Sequence, residues 1–346
     1  MDRDPRTGSA VLPPGLSLGR LPLAFGAAPI GGLYAPVSDE TAAGTLAAAW
    51  AAGIRAFDTA PHYGAGLSER RVGEFLAGRP RDEFVVATKV GRRLVPAAGD
   101  VQGAEGFYGT PPLTRIRDYS RDGVRRSLEE SLGRLGLDRV DIALIHDPDD
   151  FLRQAADAAY PALAELRSQG AVRAVGAGMN SATALTWLVE RCDLDCVLVA
   201  GRYTLLDDAA ADRLFPLCLR RGVAVLAGGV FNSGILAGRG TAQRTTTPRP
   251  RRPCWRVPAG CATPALGTAS RWPRRRCGTP CVTRPSRPRS WAHAPQKRSR
   301  VTSRTSRRRY RTRCGLSWKP SDMIAKLKIL RDHGNSRVRS MVMAAV

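Results

Sequence analysis

The sequence predicts an α/β protein built as a (β/α)8 barrel. Seven short apolar segments alternate with segments of helical periodicity over the first 238 residues. Most of the apolar segments are almost continuously hydrophobic, which is typical of parallel strands that are buried on both faces. A doubly wound sheet shows the same alternation, but "FGAAPIGG" in the first apolar segment does not match the G-x-G-x-x-G fingerprint of dinucleotide-binding sheets. The barrel is therefore favoured, although seven units are one short of eight.

The candidate strands are expected to run parallel, because helical segments separate them and the crossovers should be right-handed. They lie at 24–32, 54–60, 84–90, 140–147, 172–178, 196–201 and 223–229. In a barrel of this kind, the C-terminal ends of all strands open on one face, where the chemistry is found.

The segments between the strands carry ordinary helix signals. "DETAAGTLAAAWAAG" begins with acidic residues and ends at Gly53, a typical C-cap residue. "SRDGVRRSLEESLGRLG" places Val124, Leu128, Leu132 and Leu135 on one face. "PALAELRSQG" begins with Pro and ends with Gly, the usual order at the two ends of a helix.

Charge divides the chain into two parts. The 346 residues carry a formal net charge of +24. Residues 1–238 hold 26 basic and 28 acidic residues, whereas residues 239–346 hold 28 basic and 2 acidic residues. The sequence therefore predicts a mildly acidic barrel domain over 1–238 and a basic tail over 239–346. The tail taken alone would suggest a polyanionic partner.

Cysteine usage and hydropathy indicate a cytoplasmic protein. The eight cysteines do not have the spacing of a disulfide framework. The first 20 residues lack the basic start and apolar run of a signal peptide, and no apolar run of about 18 residues could span a bilayer. No membrane partner is expected, and the oligomeric state is left open.

Polar side chains stand at the ends of three consecutive candidate strands. Asp58 ends the second strand and is followed by Tyr63, Lys89 ends the third, and His146 ends the fourth. Each has a plain structural explanation when taken singly, as a turn residue, a solvated cation or a structural histidine. Because strand ends share one face of a barrel, the four side chains are predicted to converge on one site.

These residues stand in segments that resemble the aldo-keto reductase family. "FDTAPHYGAGLSERRVGEFL", "VVATKVG" and "ALIHDPDD" carry the resemblance, which covers roughly Leu16 to Gly238. "HDPDD", "GAGMN" and "AGRYTLLD" are similar to the branch that oxidises L-fucose or D-threo-aldoses at C1. The resemblance implies a TIM barrel that binds NADP or NAD without a glycine fingerprint. It also implies an oxidoreductase with a small sugar or aldehyde as substrate.

The resemblance assigns a catalytic tetrad to Asp58, Tyr63, Lys89 and His146. A carbonyl that is being reduced develops negative charge on oxygen and needs a proton, which Tyr63 would supply. The pKa of a free tyrosine, about 10, is high for this task, and the Lys89 ammonium is expected to lower it. Asp58 would pair with Lys89, because a lone buried cation is costly. His146 would position and polarise the carbonyl.

The resemblance also places the cofactor contacts. The polar pair that usually holds the nicotinamide amide corresponds to "GAGMN", where Asn180 is retained and Met179 replaces the common Ser. Gly228 stands where an aromatic ring often stacks on the nicotinamide, and Phe231 is the substitute. Met179 and Phe231 are alternatively plain core residues. The candidate cofactor-binding residues are Met179, Asn180, Gly228, Phe231, Ser233 and Leu236.

The stretch after Gly238 lacks the rest of the family pattern. It shows no eighth strand and no segment of the G-A-R-T-P-E-E-V type that grips the adenosine phosphate, and it has no acidic residue between Arg239 and Pro320. In a shifted reading frame, "RSWAHAPQKRSR" is compatible with A-V-L-G-A-R-T-P-E-A-V-A, which contains that motif. A one-base frameshift near codons 238–244 is therefore predicted. The chain is expected to be truncated after about its seventh strand and impaired in activity.

Other interpretations of the tail stay open. Its arginine density would bind phosphates non-specifically, so the alternative function is a non-catalytic basic protein whose tail binds nucleic acid. Its Pro, Arg, Ser and Thr content is typical of disorder. A metal site is not expected, because Cys261, Cys277 and Cys281 lack paired C-x2-C spacing. The segment from Ser321 has helix-like character at Met323 to Leu330 and no evident role.

Overall fold

The computed structural model describes residues 23–233 and the backbone of residues 341–344. Eight parallel strands of this part close a barrel, and two others form a separate antiparallel pair. The strands are β1 (Leu23–Gly26), β2 (Ala56–Asp58), β3 (Val85–Val90), β4 (Arg92–Pro96), β5 (Leu113–Arg117), β6 (Val140–His146), β7 (Val172–Met179), β8 (Cys196–Ala200), β9 (Ala224–Gly228) and β10 (Met341–Ala344). The barrel order is β1-β10-β9-β8-β7-β6-β3-β2, and β4 pairs with β5.

The (β/α)8 prediction is confirmed, and all seven predicted strands are present as β1, β2, β3, β6, β7, β8 and β9. The first of them is shorter than predicted. Only Leu23–Gly26 is extended, and Pro29–Gly31 forms a 3-10 turn. Proline fixes its own φ and has no N–H for the strand ladder, so it ends the strand early.

The eighth place in the barrel is taken by a strand that the sequence did not predict. β10 pairs with β1 through Val342 and Leu23, and with β9 through Met341 and Leu226. Residues 341–344 thus form a barrel strand within a segment for which the sequence indicated no evident role. Leu236, the rest of the predicted tail and the helical character expected at Met323 to Leu330 lie outside the described residues.

Helices follow the strands on the outside of the barrel. They are α1 (Asp39–Ala51), α2 (Leu67–Leu76), α3 (Arg121–Leu135), α4 (Leu152–Gln154), α5 (Tyr160–Ser168), α6 (Ala182–Arg191) and α7 (Leu214–Arg221), with a π-helical turn at Ala155–Ala159 joining α4 to α5. Ser38, Ser120 and Ser181 cap α1, α3 and α6, each accepting a backbone N–H three residues later. In the described part of the chain, no helix is long and apolar enough to cross a membrane.

The core has two layers. An inner cluster of small and aliphatic residues fills the barrel, and its members are Ala24, Ala56, Val85, Ala87, Ile142, Leu144, Ala174, Cys196, Leu198, Ala224 and Leu226. A larger outer cluster packs the strands against the helices and includes the predicted α3 face, with Val124, Leu128 and Leu135 buried and Leu132 packed against them. The side chains of the inner layer fill the interior of the barrel, so a ligand can bind only at an end of the barrel.

The β4–β5 pair covers part of the C-terminal end of the barrel. The loop between these strands, residues 97–112, docks on the turn after β1. The backbone N–H of Tyr108 donates to Gly32 O at 3.0 Å, and the N–H of Tyr34 donates to Gly106 O at 2.8 Å. Gly32 has a φ of 88°, and a Cβ there would lie 2.1 Å from Tyr108 O, so only glycine allows this approach.

Candidate active site

Alternation along the strands brings three of the predicted catalytic residues to one end of the barrel. On β2, β3 and β6, the residue two positions before Asp58, Lys89 and His146 belongs to the inner core cluster. Successive side chains of a strand point to opposite faces, so residues two apart share a face. Asp58, Lys89 and His146 therefore all face inward at the C-terminal mouth of the barrel.

Lys89 and Asp58 form a buried ion pair in this mouth. The Lys89 ammonium donates to both Asp58 carboxylate oxygens at 2.8 Å and to the Thr59 backbone oxygen at 2.9 Å. Lys89 is 1% exposed and Asp58 is 3% exposed. Burial alone would lower the pKa of Lys89, but the Asp58 carboxylate and the Tyr63 phenol raise it above its usual value. Lys89 is therefore a fixed cation in the mouth.

Tyr63 lies in the turn between β2 and α2 and joins this pair. The Lys89 ammonium is 4.4 Å from the centre of the Tyr63 ring. The Tyr63 ring is 5.9 Å from the His146 ring and crosses it edge-on. Burial raises the pKa of the Tyr63 phenol, and the Lys89 ammonium opposes this rise without overcoming it. The effect of Lys89 on the pKa of Tyr63 therefore has the predicted direction, but desolvation outweighs the cation and the pKa of the phenol stays above its usual value.

His146 is a neutral imidazole at the end of β6. Burial lowers its pKa well below 6.5, and the cations of Arg92 and Lys89 lower it further. Its Nδ1 is buried without a hydrogen-bond partner among the described residues, and its Nε2 lies 3.6 Å from Asp147 Oδ2. The Tyr119 hydroxyl donates to the backbone oxygen of His146 at 2.6 Å and holds the strand end in place. A neutral imidazole in this position can hydrogen-bond a substrate oxygen.

The β4–β5 pair brings a polar wall to the mouth that sequence reasoning missed. Arg92 donates to Asp147 at 2.8 Å, and Arg115 donates to the backbone oxygen of His62 at 2.9 Å. Glu105, from the loop between the two strands, lies 2.9 Å from His62 Nδ1. None of these positions ends a barrel strand, so no strand-end rule could have found them. His62 and Asp147 carried a weaker signal, because they directly adjoin Tyr63 and His146 in the sequence.

Small residues form the opposite side of the mouth. Gly178, Ala200 and Gly228 follow the inner core positions of β7, β8 and β9. A Cβ at Gly178 would lie 3.6 Å from Lys89 Cε, and a Cβ at Gly228 would lie 3.3 Å from Leu198 Cδ2. These strand ends therefore present a surface without bulky side chains, and Gly178 places part of it beside Lys89. A planar nicotinamide ring fits such a surface, so the residues present are compatible with the cofactor that the sequence implies.

The predicted cofactor residues fall into three groups. Met179 is buried in the outer layer between strands and helices, so its side chain faces away from the mouth, and the core interpretation holds for it. Asn180 is exposed at the end of β7, and Gly228 lies in the mouth. Phe231 and Ser233 are half-buried in the turn after β9, next to Asn232, whose buried Oδ1 has no hydrogen-bond partner among the described residues. Leu236 lies outside the described residues.

Within residues 23–233, no group of three or more His, Cys, Asp or Glu side chains is arranged to hold a metal ion.

Comparison with known proteins gives consistent matches. A sequence profile of the aldo/keto reductase family matches residues 22–273. The D-threo-aldose 1-dehydrogenase of a Pseudomonas species is 47% identical over 220 residues, which cover 62% of this chain and 67% of that protein. The pyridoxal 4-dehydrogenase of Microbacterium luteolum is 40% identical over 242 residues, which cover 64% of this chain and 70% of that protein. The chain thus matches about two thirds of the length of each relative.

The fold comparison agrees with the sequence comparison. The structure of a glycerol dehydrogenase from Gluconobacter oxydans superposes with a TM-score of 0.54 and 30% identity, covering 68% of this chain and 67% of that chain. Together with the barrel and the mouth described above, the profile match confirms the predicted family resemblance. The chain belongs to the aldo/keto reductase family and is an NAD(P)-dependent oxidoreductase.

Proposed function

We propose that this chain transfers hydride between NADP or NAD and the C1 carbon of a sugar or the carbonyl carbon of a small aldehyde. The observation that carries the proposal is the buried Lys89–Asp58 pair, with Tyr63 and the neutral His146 beside it. The direction in the cell is either oxidation of an aldose to its lactone or reduction of a carbonyl.

We propose the following duties for the four side chains. In reduction, the Tyr63 hydroxyl gives its proton to the carbonyl oxygen as the carbon receives hydride, and the Tyr63 phenolate remains. Lys89 stabilises that phenolate, because an ammonium 4.4 Å from the ring favours the charged form. His146 donates an N–H to the same oxygen, and Asp58 keeps Lys89 in place. In oxidation, the Tyr63 phenolate takes the proton from the sugar hydroxyl.

The nicotinamide, when bound, supplies or accepts the hydride. The small residues Gly178 and Gly228 would lie against its ring, and the Asn180 side chain is exposed at the end of β7 to hold its carboxamide. Phe231, Asn232 and Ser233 lie in the turn after β9 and would form the next contacts along the cofactor. The buried Oδ1 of Asn232 has no hydrogen-bond partner among the described residues. These assignments are part of the proposal.

The substrate class is supported by the relatives. One is named for oxidation of D-threo-aldoses at position 1, and another for oxidation of pyridoxal at position 4. We favour the aldose, because the first relative is the more similar, at 47% against 40% identity. The cytoplasm is proposed as the compartment, because Cys192, Cys196 and Cys218 are all free and buried.

We also propose that a one-base frameshift near codons 238–244 impairs the activity of this chain. The composition changes near residue 238, because residues 1–238 hold 26 basic and 28 acidic residues, whereas residues 239–346 hold 28 basic and 2 acidic residues. The eighth strand is only four residues long. The phosphate-gripping motif of the family has no counterpart in the printed sequence, so cofactor affinity should be weaker than in a frame-repaired form.

A binding and turnover experiment tests the assignment. NADPH binding is measured by fluorescence titration for three proteins. They are this chain, a frame-repaired form and the Tyr63→Phe variant of the repaired form. Tyr63→Phe should bind NADPH as its parent does but lose at least about a hundredfold in turnover of aldoses and aldehydes, the usual cost of removing an acid catalyst. A variant that keeps more than about a tenth of the parent rate would overturn the role of Tyr63.

A further inference from the structure

We propose that His62 sets substrate specificity, by accepting a hydrogen bond at Nε2 from a hydroxyl group on the carbon next to the reacting carbon. This inference rests on the proposed function above and narrows its substrate class to neutral 2-hydroxyaldehydes, including aldoses.

The His62 ring borders the space in which the reacting oxygen would lie. Its centre is 5.4 Å from the His146 ring and 6.0 Å from the Tyr63 ring. It also meets Phe107 edge-on at 5.2 Å. The reacting oxygen must lie between Tyr63 and His146 to be hydrogen-bonded by both. A hydroxyl on the adjacent carbon lies beside that oxygen, and the His62 ring is a polar group that borders this position.

The contact with Glu105 fixes the tautomer of His62. Glu105 Oε2 lies 2.9 Å from His62 Nδ1, and its carboxylate can only accept there, so Nδ1 carries the proton. The hydrogen bond from His62 lowers the pKa of Glu105 to about 2, which keeps Glu105 ionised. Burial lowers the pKa of His62 and, together with the Arg92 and Arg115 cations, outweighs the Glu105 carboxylate, which raises it. The ring is therefore neutral, and Nε2 carries a lone pair.

The Nε2 lone pair is not strongly engaged by the protein. Arg92 Nη1 lies 3.5 Å from Nε2 and 3.4 Å from Nδ1. Because the two distances are nearly equal, the guanidinium does not point along the lone pair of Nε2, and 3.5 Å exceeds the usual length of a good hydrogen bond. The other terminal nitrogen of Arg92 is committed to Asp147 at 2.8 Å. Nε2 is thus available to a hydroxyl donor.

The charges of this wall balance. Arg92 and Arg115 are the cations, and Glu105 and Asp147 are the anions, with Glu105 within 3.8 Å of both guanidinium groups. Among the described residues of the wall, no positive charge is left over for a phosphate or carboxylate on the substrate. A neutral substrate with hydroxyl groups matches this combination of a lone pair, balanced charges and the apolar Phe107 ring.

The test compares lactaldehyde with propanal, which differ by one hydroxyl on the carbon next to the carbonyl. kcat/KM with NADPH, corrected for the free aldehyde fraction, is measured for the full chain and a frame-repaired form. Saturation-transfer NMR in the presence of NADP+ gives the same comparison where turnover is slow. The wild type should prefer lactaldehyde by at least about fivefold, the value of one hydrogen bond.

The variants separate specificity from structure. His62→Leu should abolish the preference while keeping propanal turnover, and His62→Gln should restore part of it, because its amide can reach the position of Nε2. Glu105→Gln should weaken the preference. Glu130→Gln is the matched control, since Glu130 contacts Arg93 at 3.2 Å on the outer side of the same hairpin. It should leave the preference unchanged.

Two outcomes would overturn the inference and can be told apart. If His62→Leu lowers kcat/KM equally for both aldehydes, or leaves the preference intact, His62 does not bind the hydroxyl next to the reacting carbon. The proposed function would still stand in that case. If neither aldehyde is bound or reduced by any form, and Tyr63→Phe equals its parent, the proposed function itself fails.

Discussion

The two ends of the barrel use buried charge differently. At the N-terminal end, Asp141 of β6 is fully buried, and its carboxylate accepts from Arg81 and the Val86 backbone N–H at 2.8 Å and from Arg173 at 3.3 Å. Asp195, just before β8, likewise accepts from the Val175 N–H at 2.8 Å. Each carboxylate therefore ties one strand to its neighbour.

At the C-terminal mouth, the Lys89–Asp58 pair is equally buried, but a neutral polar group beside it lacks a hydrogen-bond partner among the described residues. His146 Nδ1 has no partner among the described residues, and Asp147 adopts a φ of 41°, a conformation that few residues other than glycine tolerate. Buried polar groups almost always have a hydrogen-bond partner, so His146 Nδ1 is available to hydrogen-bond a ligand. Burial of a charge therefore does not identify a working site. Arg81 Nε at the opposite end also lacks a hydrogen-bond partner among the described residues, so the mouth is set apart by the position of the unpaired His146 Nδ1 beside the Lys89 cation and the Tyr63 ring.

Of the changes considered for the mouth, removal of the Lys89 cation should cause the largest loss of stability and activity. Lys89→Met leaves Asp58 buried and unpaired, which should lower the free energy of unfolding by about 3–5 kcal/mol. Turnover should also fall by at least about a hundredfold, because the Tyr63 phenolate loses its stabilising charge. The Asp58→Asn/Lys89→Met double variant should regain most of the stability but none of the rate, as measured by urea unfolding and steady-state kinetics. A double variant no more stable than the single one would contradict the pairing argument.

Removing a carboxylate at the opposite end should affect stability alone. Asp141→Asn should cost about 3 kcal/mol in urea unfolding, because Arg81 and the Val86 N–H lose a charged acceptor. kcat and KM of the folded protein should stay within about twofold of wild type. Asp141 lies at the end of the barrel opposite the mouth, so it does not bind the transition state. A large fall in kcat at unchanged KM would show that the two ends are not separable in this way.

The pH dependence of stability should reveal the neutral histidines of the mouth. Burial holds the pKa values of His146 and His62 below 6.5 in the folded state, whereas the unfolded chain takes up these protons near pH 6.5. Stability is therefore fully present above this pH and is lost as the pH falls below it, by up to about 1.4 kcal/mol per pH unit for each group. The His62→Gln/His146→Gln double variant should flatten this slope between about pH 7 and pH 5.5. An unchanged slope would mean that the two imidazoles are already charged.

A smaller effect is expected at Tyr119, which holds the end of β6. Its hydroxyl donates to the backbone oxygens of His146 at 2.6 Å and Asp147 at 2.9 Å. Tyr119→Phe should cost about 1 kcal/mol of stability and lower kcat a few-fold, because His146 loses its anchor. Tyr160→Phe is the matched control: its hydroxyl makes one exposed bond to Asp193 at 3.3 Å, so its loss should cost less than about 0.5 kcal/mol. Equal effects of the two changes would contradict the anchoring role.

Most of the barrel could be predicted because its rules are local. Continuous apolar runs marked seven strands, and strand-end position together with the two-residue alternation was enough to bring Asp58, Lys89 and His146 together. Met179 shows the limit of matching by resemblance alone. It stands one residue past an inward-facing glycine, so its side chain points into the outer core, and only the register of β7 reveals this.

The polar wall and the eighth strand were missed for a different reason. Glu105 reaches His62 through a loop of an antiparallel pair, and the docking of that loop on Gly32 depends on contacts between segments about 70 residues apart in the chain. The balance of burial and charge at Tyr63 also needs the folded surroundings. β10 pairs with β1 from the far end of the chain, a long-range contact that no local pattern encodes.

The most direct test of the proposed mouth chemistry is the Tyr63-dependent reduction of NADP+ or NAD+ by L-fucose. It is followed by nicotinamide absorbance in this chain, in a form with the frame repaired near codon 240, and in the Tyr63→Phe variant of each. The repaired form should turn over, this chain should reach less than about a tenth of its rate, and both Tyr63→Phe variants should lose at least about a hundredfold. A repaired form that is inactive with every aldose and aldehyde tried, or a Tyr63→Phe variant that retains its parent's rate, would contradict the proposed chemistry of the mouth. Equal rates for the chain and its repaired form would overturn the proposed impairment alone.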